Sequence, residues 1–145
     1  MVTLWAAKKD STLYGAYEHM IAAAWLHDVL EDTKLTDGDV HAAVGKHVTD
    51  LVVELTNAST GSKEPRAVRK AKDREKLARA SREAKIIKMF DRIDNLMDLA
   101  PDDSFGIKYA EESILLADAI GGADGGVKAE LVAACKRVLR RHEGL

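Results

Sequence analysis

Residues 22–33 read Ala22-Ala23-Ala24-Trp25-Leu26-His27-Asp28-Val29-Leu30-Glu31-Asp32-Thr33. An apolar run leads to a His-Asp pair, and an acidic pair follows one helical turn later. At about 3.6 residues per turn, His27 and Glu31 share one helix face, and Asp28 and Asp32 share the adjoining face. An imidazole and three carboxylates this close together are costly to bury without partners. These residues alone leave two interpretations open: a shared divalent cation, or a helix end that runs out into solvent.

A second segment carries related chemistry and reads Lys85-Ile86-Ile87-Lys88-Met89-Phe90-Asp91-Arg92-Ile93-Asp94-Asn95-Leu96. Its apolar residues predict a helix over 84–99, on which Asp91 and Asn95 share a face. A buried Asp on such a helix needs a charged partner or a metal ion. Lys88 and Arg92 could supply an ion pair at the helix surface. Opposite the His-Asp pair, the role of metal ligand is favoured for Asp91.

The two segments, in this order, resemble the HD-domain phosphohydrolases. Within that family they look most like the small alarmone hydrolases, which remove the 3′-pyrophosphate from guanosine tetra- and pentaphosphate. Residues 44–52 resemble the helix that follows the acidic pair in the family, and the resemblance extends from about Tyr17 to Ile120. It implies an all-α fold, the HD-domain helical bundle.

Carried over to this sequence, the resemblance implies that His27, Asp28 and Asp91 are metal ligands. Imidazole and carboxylate ligands suit a divalent ion such as manganese, the cofactor that we expect. The resemblance also implies that Glu31 and Asp32 position or deprotonate the attacking water. The expected reaction is a metal-dependent release of pyrophosphate from a nucleotide.

The substrate side of the expected site is basic. Residues 66–83 carry eight Arg and Lys side chains, and as a whole they are better explained as a solvated helix face with acidic partners. Arg and Lys also complement phosphate oxygens, so a subset could line the site. By resemblance, Lys70 and Arg74 are the candidates for phosphate, and Asn95 is the candidate for contact with the nucleotide.

Two other functions stay open from the sequence. One is hydrolysis of a different nucleotide by the same fold. The other is a catalytically inactive helical module that binds a nucleotide or a protein.

Composition bounds the class of protein. A length of 145 residues predicts one domain, and the resemblance implies that it is an HD-type hydrolase domain over residues 1–145 with a nucleotide substrate. With 32% charged residues and a net charge of −2, we expect no nucleic acid or membrane partner. The single cysteine, Cys135, lies in an apolar helical pattern and is expected to be a buried structural thiol in a reducing, cytoplasmic environment. A homo-oligomer is left open.

The remaining pattern is helical throughout. Thr36 or Asp37 is expected to cap a helix that runs to Thr56. The predicted helices cover residues 3–9, 17–30, 36–56, 84–99, 105–120 and 127–141, with a charged helical run from residue 66 between the third and the fourth.

One departure from the family concerns a further His ligand, which the resemblance places upstream of His27. The sequence offers only His19 there, about 12 Å along a helix from His27, which is too far for one ion. Residues on either side of Gly15 and Ala16 match parts of the family that a helix and loop normally separate. Either the chain has lost this ligand, or Gly15 and Ala16 are not neighbours in the complete polypeptide. If the family match on both sides is right, we expect the second.

Overall fold

The computed structural model describes Met20 and residues 22–27, 34, 36–99 and 104–143. Residues 22–27 are helical, and the described part of the chain contains no β-strand. The predicted all-α fold is therefore confirmed. In chain order the later helices are α1 (Asp37–Val44), α2 (Lys46–Leu55), α3 (Arg66–Ala78), α4 (Arg82–Asp98), α5 (Gly106–Ile120) and α6 (Gly125–Glu143), with a short 3₁₀ turn at Gly121–Ala123.

Two of the helix starts are fixed by side-chain caps. Thr36 caps α1: its Oγ1 accepts from the Asp39 amide at 3.2 Å, and Asp39 Oδ2 accepts from the Thr36 amide at 2.8 Å. This reciprocal arrangement satisfies two amides that the first turn cannot pair internally, and it selects Thr36 from the two predicted caps, Thr36 and Asp37. Ser81 caps α4 through a single hydrogen bond, in which its hydroxyl accepts from the Ala84 amide at 3.2 Å.

The predicted single helix over 36–56 is wrong, because the structure divides it at Gly45 into α1 and α2. Gly45 has φ 87°, a left-handed conformation that a helix interior does not allow and that glycine adopts without steric cost. The break also turns Val44 away from the core, although the apolar spacing of a continuous helix would bury this side chain. Val44 is 39% exposed, whereas Val48 and Val52 beyond the break are buried.

The core forms where α6 packs against α4 and α5. Cys135 is fully buried there, as expected, beside other apolar side chains of the three helices. Burial of each large side chain in such a core contributes about 1.5–3 kcal/mol. The core members with the least exposure include Ile86, Ile87, Phe90, Leu96, Ala117, Ile120 and Leu131.

Polar contacts fix α2, α3 and α4 relative to one another. Glu54 at the end of α2 accepts from the Ser81 amide at 3.2 Å and from the Ser81 hydroxyl at 2.6 Å. Lys76 of α3 donates to the carbonyl oxygens of Val53 at 2.7 Å and Thr56 at 2.5 Å. Val53 also accepts from the Thr56 amide at 3.3 Å, so Lys76 completes the hydrogen bonding at the end of α2. These contacts hold three helices in a defined arrangement around one end of α3.

Two predictions concern residues outside the described ranges. They are the helix over residues 3–9 and the discontinuity between Gly15 and Ala16. Both stay predictions. Among the helices that the structure describes, none is both long enough and apolar enough to cross a membrane.

Candidate active site

A cavity of about 300 Å³ lies between α3, α4 and α5 and is bordered by the helical residues 22–27. Each of the three longer helices contributes side chains spaced three or four residues apart, the interval that brings residues to one helix face. Outside these helices, His27 and Asn57 complete the described lining. The helical members are Lys70, Asp73, Arg74 and Leu77 of α3, Lys88, Asp91, Arg92 and Asn95 of α4, and Tyr109, Glu112 and Leu116 of α5.

Five of the eight site residues predicted from the sequence line this one cavity: His27, Lys70, Arg74, Asp91 and Asn95. They come from three separate helical segments, so their common position is a property of the fold and not of sequence proximity. The other three, Asp28, Glu31 and Asp32, lie outside the described residues. The roles assigned to all eight stay predictions.

His27 and Asp91 bring two kinds of metal ligand to the cavity. His27 is 5% exposed, although an ionisable side chain is seldom buried without a purpose. Asp91 Oδ2 lies 3.9 Å from Lys88 Nζ, a distance that permits an ion pair but not a hydrogen bond. A buried imidazole and a carboxylate without a close hydrogen-bond donor in the described region fit the ligand chemistry of a divalent cation.

The described residues alone do not form a complete metal site, because no three of their His, Cys, Asp or Glu side chains converge on one point. His27 and Asp91 supply two of the three predicted ligands. The third, Asp28, adjoins His27 in the sequence and lies outside the described ranges. A site with these three ligands therefore needs the segment that begins directly after His27.

Asn95 and Tyr109 form a polar pair at the cavity wall. Asn95 Nδ2 donates to the Tyr109 hydroxyl at 3.0 Å, which leaves the Asn95 carbonyl oxygen to accept from a ligand. Burial raises the pKa of Tyr109, although the positive charge of Arg92 opposes this effect. The hydroxyl therefore stays protonated at neutral pH and can donate onward. Sequence spacing carries no signal for this pair, because the position of Tyr109 opposite Asn95 depends on how α4 and α5 pack.

Two acids of the cavity have structural partners. Asp73 is buried, and its two carboxylate oxygens accept from the Ser59 amide at 3.0 Å and the Ser59 hydroxyl at 2.9 Å. Glu112 accepts two parallel hydrogen bonds from Arg66, at 2.8 Å from Nε and 3.2 Å from Nη2. Such bidentate pairing satisfies a carboxylate well. Both acids thus belong to the framework of the cavity, and sequence spacing gave no signal for either partner.

The comparisons with known proteins agree with this arrangement. A family model described as "HD domain" matches residues 8–116 of the chain. Among similar proteins is a "Probable guanosine-3′,5′-bis(diphosphate) 3′-pyrophosphohydrolase" from Mycoplasma pneumoniae, 35% identical over 88 residues, or 54% of this chain and 12% of that protein.

Animal proteins named guanosine-3′,5′-bis(diphosphate) 3′-pyrophosphohydrolase MESH1 are also similar. The Drosophila melanogaster protein is 42% identical over 82 residues, which cover 57% of this chain and 44% of that protein. The human protein is 38% identical over 80 residues, which cover 55% of this chain and 43% of that protein. The matched regions therefore span less than half the length of each of these three relatives.

The fold has a counterpart among solved structures. The crystal structure of lmo0812 from Listeria monocytogenes EGD-e superposes with a TM-score of 0.64 at 24% sequence identity, and covers 83% of this chain and 85% of that one. This likeness concerns the fold alone. Since the family model extends over most of the chain and the helices enclose the cavity that its two motifs predict, the chain belongs to the HD-domain family.

Proposed function

We propose that this chain is a metal-dependent phosphohydrolase that removes pyrophosphate from the 3′ position of guanosine tetra- and pentaphosphate. The observation that carries the proposal is the common cavity of two metal-ligand types, His27 and Asp91, and two phosphate-complementary cations, Lys70 and Arg74. The names of the similar proteins from Mycoplasma pneumoniae, Drosophila melanogaster and human support the choice of substrate.

In this proposal His27, Asp28 and Asp91 hold one divalent cation, and manganese is the proposed ion. When bound, such an ion polarises a phosphoryl group and lowers the pKa of the attacking water. The protein's own contribution is to hold an imidazole and two carboxylates at fixed positions. Asp91 is suited to this because α4 is anchored at its start by the Ser81 cap and along its length by the core.

Glu31 and Asp32 act on the water in the proposed reaction. One of these carboxylates accepts a proton as the water oxygen bonds to phosphorus, and the bond between that phosphorus and the 3′ oxygen breaks. The 3′ oxygen takes up a proton, and the water oxygen leaves as part of pyrophosphate. Lys70 and Arg74 neutralise phosphate oxygens, and Asn95 contacts the nucleotide through its free carbonyl oxygen.

The test is incubation of the purified chain with guanosine tetraphosphate and manganese, with separation of nucleotides and measurement of pyrophosphate. We expect equal amounts of guanosine diphosphate and pyrophosphate, and no product from an Asp91→Asn variant. A panel of other nucleotides runs in parallel. Hydrolysis of another nucleotide alone would replace the substrate in this proposal, and binding without hydrolysis of any nucleotide would show an inactive binding module.

A second experiment separates the proposed roles of the acids. Glu31→Ala or Asp32→Ala should abolish turnover while manganese affinity, measured by calorimetry, stays close to that of the wild type, because these side chains act on water and not on the ion. Asp28→Ala serves as the comparison and should lose both. Parallel loss of affinity and turnover in the Glu31 or Asp32 variants would instead make that residue a ligand.

A further inference from the structure

Arg92 is a charged side chain of the cavity that the proposed mechanism does not use. It is 9% exposed and lines the cavity, and its guanidinium carbon lies 4.7 Å from the centroid of the Tyr109 ring. Its buried Nε has no hydrogen-bond partner among the described residues. The sequence offered Arg92 as an ion-pair partner of Asp91, but in the described region that ion pair is made by Lys88.

The contact with the Tyr109 ring does not compensate the desolvation of the Arg92 guanidinium. Arginine stays charged at any physiological pH, and desolvation of an ion costs several kcal/mol after the protein has relaxed. A cation–π contact such as that with Tyr109 returns only about 0.5–2 kcal/mol. The folded protein therefore keeps a buried charge for which a further anionic partner would be strongly favourable.

Three described acids line the cavity, and two of them already accept from donors of the framework. Asp73 accepts from Ser59, and Glu112 accepts two hydrogen bonds from Arg66. The third, Asp91, lies 3.9 Å from Lys88 and is a proposed metal ligand. The buried Nε of Arg92 donates to none of the three.

Two more cations share the cavity wall. In the described part of the chain neither Lys70 nor Arg74 has a carboxylate within 4.0 Å. Burial lowers the pKa of Lys70, and the positive charges of Arg66 and Arg92 lower it further, while Asp73 and Glu112 act in the opposite direction. Lys70, Arg74 and Arg92 thus bring three positive charges to one cavity, where the oxygens of a phosphate anion complement them.

We infer that Arg92 is a phosphate-binding residue, which holds the pyrophosphate portion of the substrate and of the product together with Lys70 and Arg74. The ring of Tyr109 holds the guanidinium from one side. The nitrogen edge of a planar guanidinium is the part that binds two phosphate oxygens at once. The role of Arg92 in holding the substrate rests on the proposed function. Its role in binding an anion can be tested without turnover.

The experiment uses inorganic pyrophosphate as the probe. Its affinity for the full chain is measured by calorimetry in the presence of a chelator, so that binding reports the cationic wall without a divalent ion. We expect Arg92→Gln to weaken pyrophosphate binding roughly tenfold or more, the loss expected for hydrogen bonds to a charged group. Arg92→Lys should restore only part of the affinity, because lysine keeps the charge but lacks the planar fork.

A matched control removes the same charge elsewhere. Arg79 is exposed and pairs with Glu75 on the outside of α3, so Arg79→Gln should leave pyrophosphate affinity unchanged. Tyr109→Leu removes the ring but no charge, and it should weaken binding if the ring positions the guanidinium. Affinity that is the same in Arg92→Gln and the wild type, with a lower free energy of unfolding, would overturn the inference and give Arg92 a purely structural role.

The outcomes also separate this inference from the proposed function. Turnover of guanosine tetraphosphate combined with pyrophosphate binding that is insensitive to Arg92 refutes the inference and leaves the function standing. Arg92-dependent pyrophosphate binding without turnover of that nucleotide refutes the function and supports the anion site. If both hold, Arg92→Gln should also make pyrophosphate a weaker inhibitor of turnover, by a factor similar to its loss of affinity.

Discussion

Raising the pH from 8 to 10 should narrow the stability difference between the wild type and a Cys135→Ala variant. Cys135 is completely buried, and burial raises the pKa of its thiol from 9.0 to about 11, with Arg92 opposing the rise. At pH 8 the thiol is neutral in the folded and the unfolded chain, so the variant loses only the packing of the sulfur atom. Above pH 9 the unfolded wild type begins to release the proton while the folded wild type retains it.

The size of the effect follows from the two pKa values. Because the pKa is higher in the folded state, the folded chain binds more protons between pH 9 and about 11, and its stability falls with rising pH in that window. Each unit by which the pKa differs between the folded and the unfolded state corresponds to about 1.4 kcal/mol of folding free energy. By pH 10 the wild type should have lost about 1 kcal/mol through this thiol, and above pH 11 about 3 kcal/mol.

Urea unfolding followed by circular dichroism gives the free energy of unfolding of both proteins at each pH. Lysine and tyrosine side chains titrate in both proteins and cancel in the difference, so the difference isolates the thiol. We expect the wild type to be more stable at pH 8 and the gap to shrink by about 1 kcal/mol at pH 10. A gap that stays constant over this range would refute the assignment of a buried thiol with a raised pKa.

Three further predictions concern the backbone, the framework and the polar pair. Gly45→Ala should lower the free energy of unfolding by about 1–2 kcal/mol because φ is 87° there, whereas Gly38→Ala, in a helix with room for the methyl group, should be neutral or stabilising. Asp73→Ala should cost about 3 kcal/mol by urea unfolding, since it breaks two hydrogen bonds to a buried carboxylate, and Ser59→Ala should cost less because the acid can recruit water. Tyr109→Phe should weaken binding of a guanine nucleotide by roughly two- to tenfold in calorimetry, because it removes the hydroxyl that accepts from the site asparagine. Pyrophosphate affinity should be unchanged in that variant, because the ring beneath the guanidinium remains.

The helices of this chain could be predicted from its sequence because apolar spacing and caps are local signals. The positions of Thr36 and Cys135 were correct for that reason. The break at Gly45 was missed because the apolar pattern continues across it, and only the backbone angle reveals the stop. The apolar spacing of residues 84–99 also predicts burial of Met97, but this side chain is 65% exposed.

The apolar pattern is also an incomplete guide to which side chains of α5 face the core. Apolar character predicts that Ile114 and Leu115 both pack, and Ile114 does contact the core. Leu115 is 51% exposed, however, while Ser113 is fully buried. Ser113 tolerates burial because its hydroxyl donates to the Tyr109 carbonyl oxygen at 2.7 Å within the same helix. Apolar character alone therefore misplaced Leu115 and gave no signal for the buried Ser113.

The residues of the candidate site show the same difference between local sequence signals and contacts between helices. Asp91 and Asn95 could be placed at the cavity because they stand in the second motif, and Lys70 because basic residues precede that motif in the family. Arg92 stands in the same motif, but its relation to Tyr109 depends on the packing of two helices and has no local signature. Chemistry carried by neighbours in the chain was therefore predictable, and chemistry created by contact between helices was not.

The spacing of cavity residues along α3, α4 and α5 has a consequence for protein engineering. Because each wall is a stripe of side chains on a helix, the backbone hydrogen bonds are made within that helix and do not depend on which side chains face the cavity. Positions 70 and 74 can therefore be varied together in a combinatorial library with little risk to the scaffold, whereas Tyr109 packs against the core and should be kept. Such a library would exchange the ligand preference of the cavity while the buried framework around Asp73 and Glu112 keeps its shape.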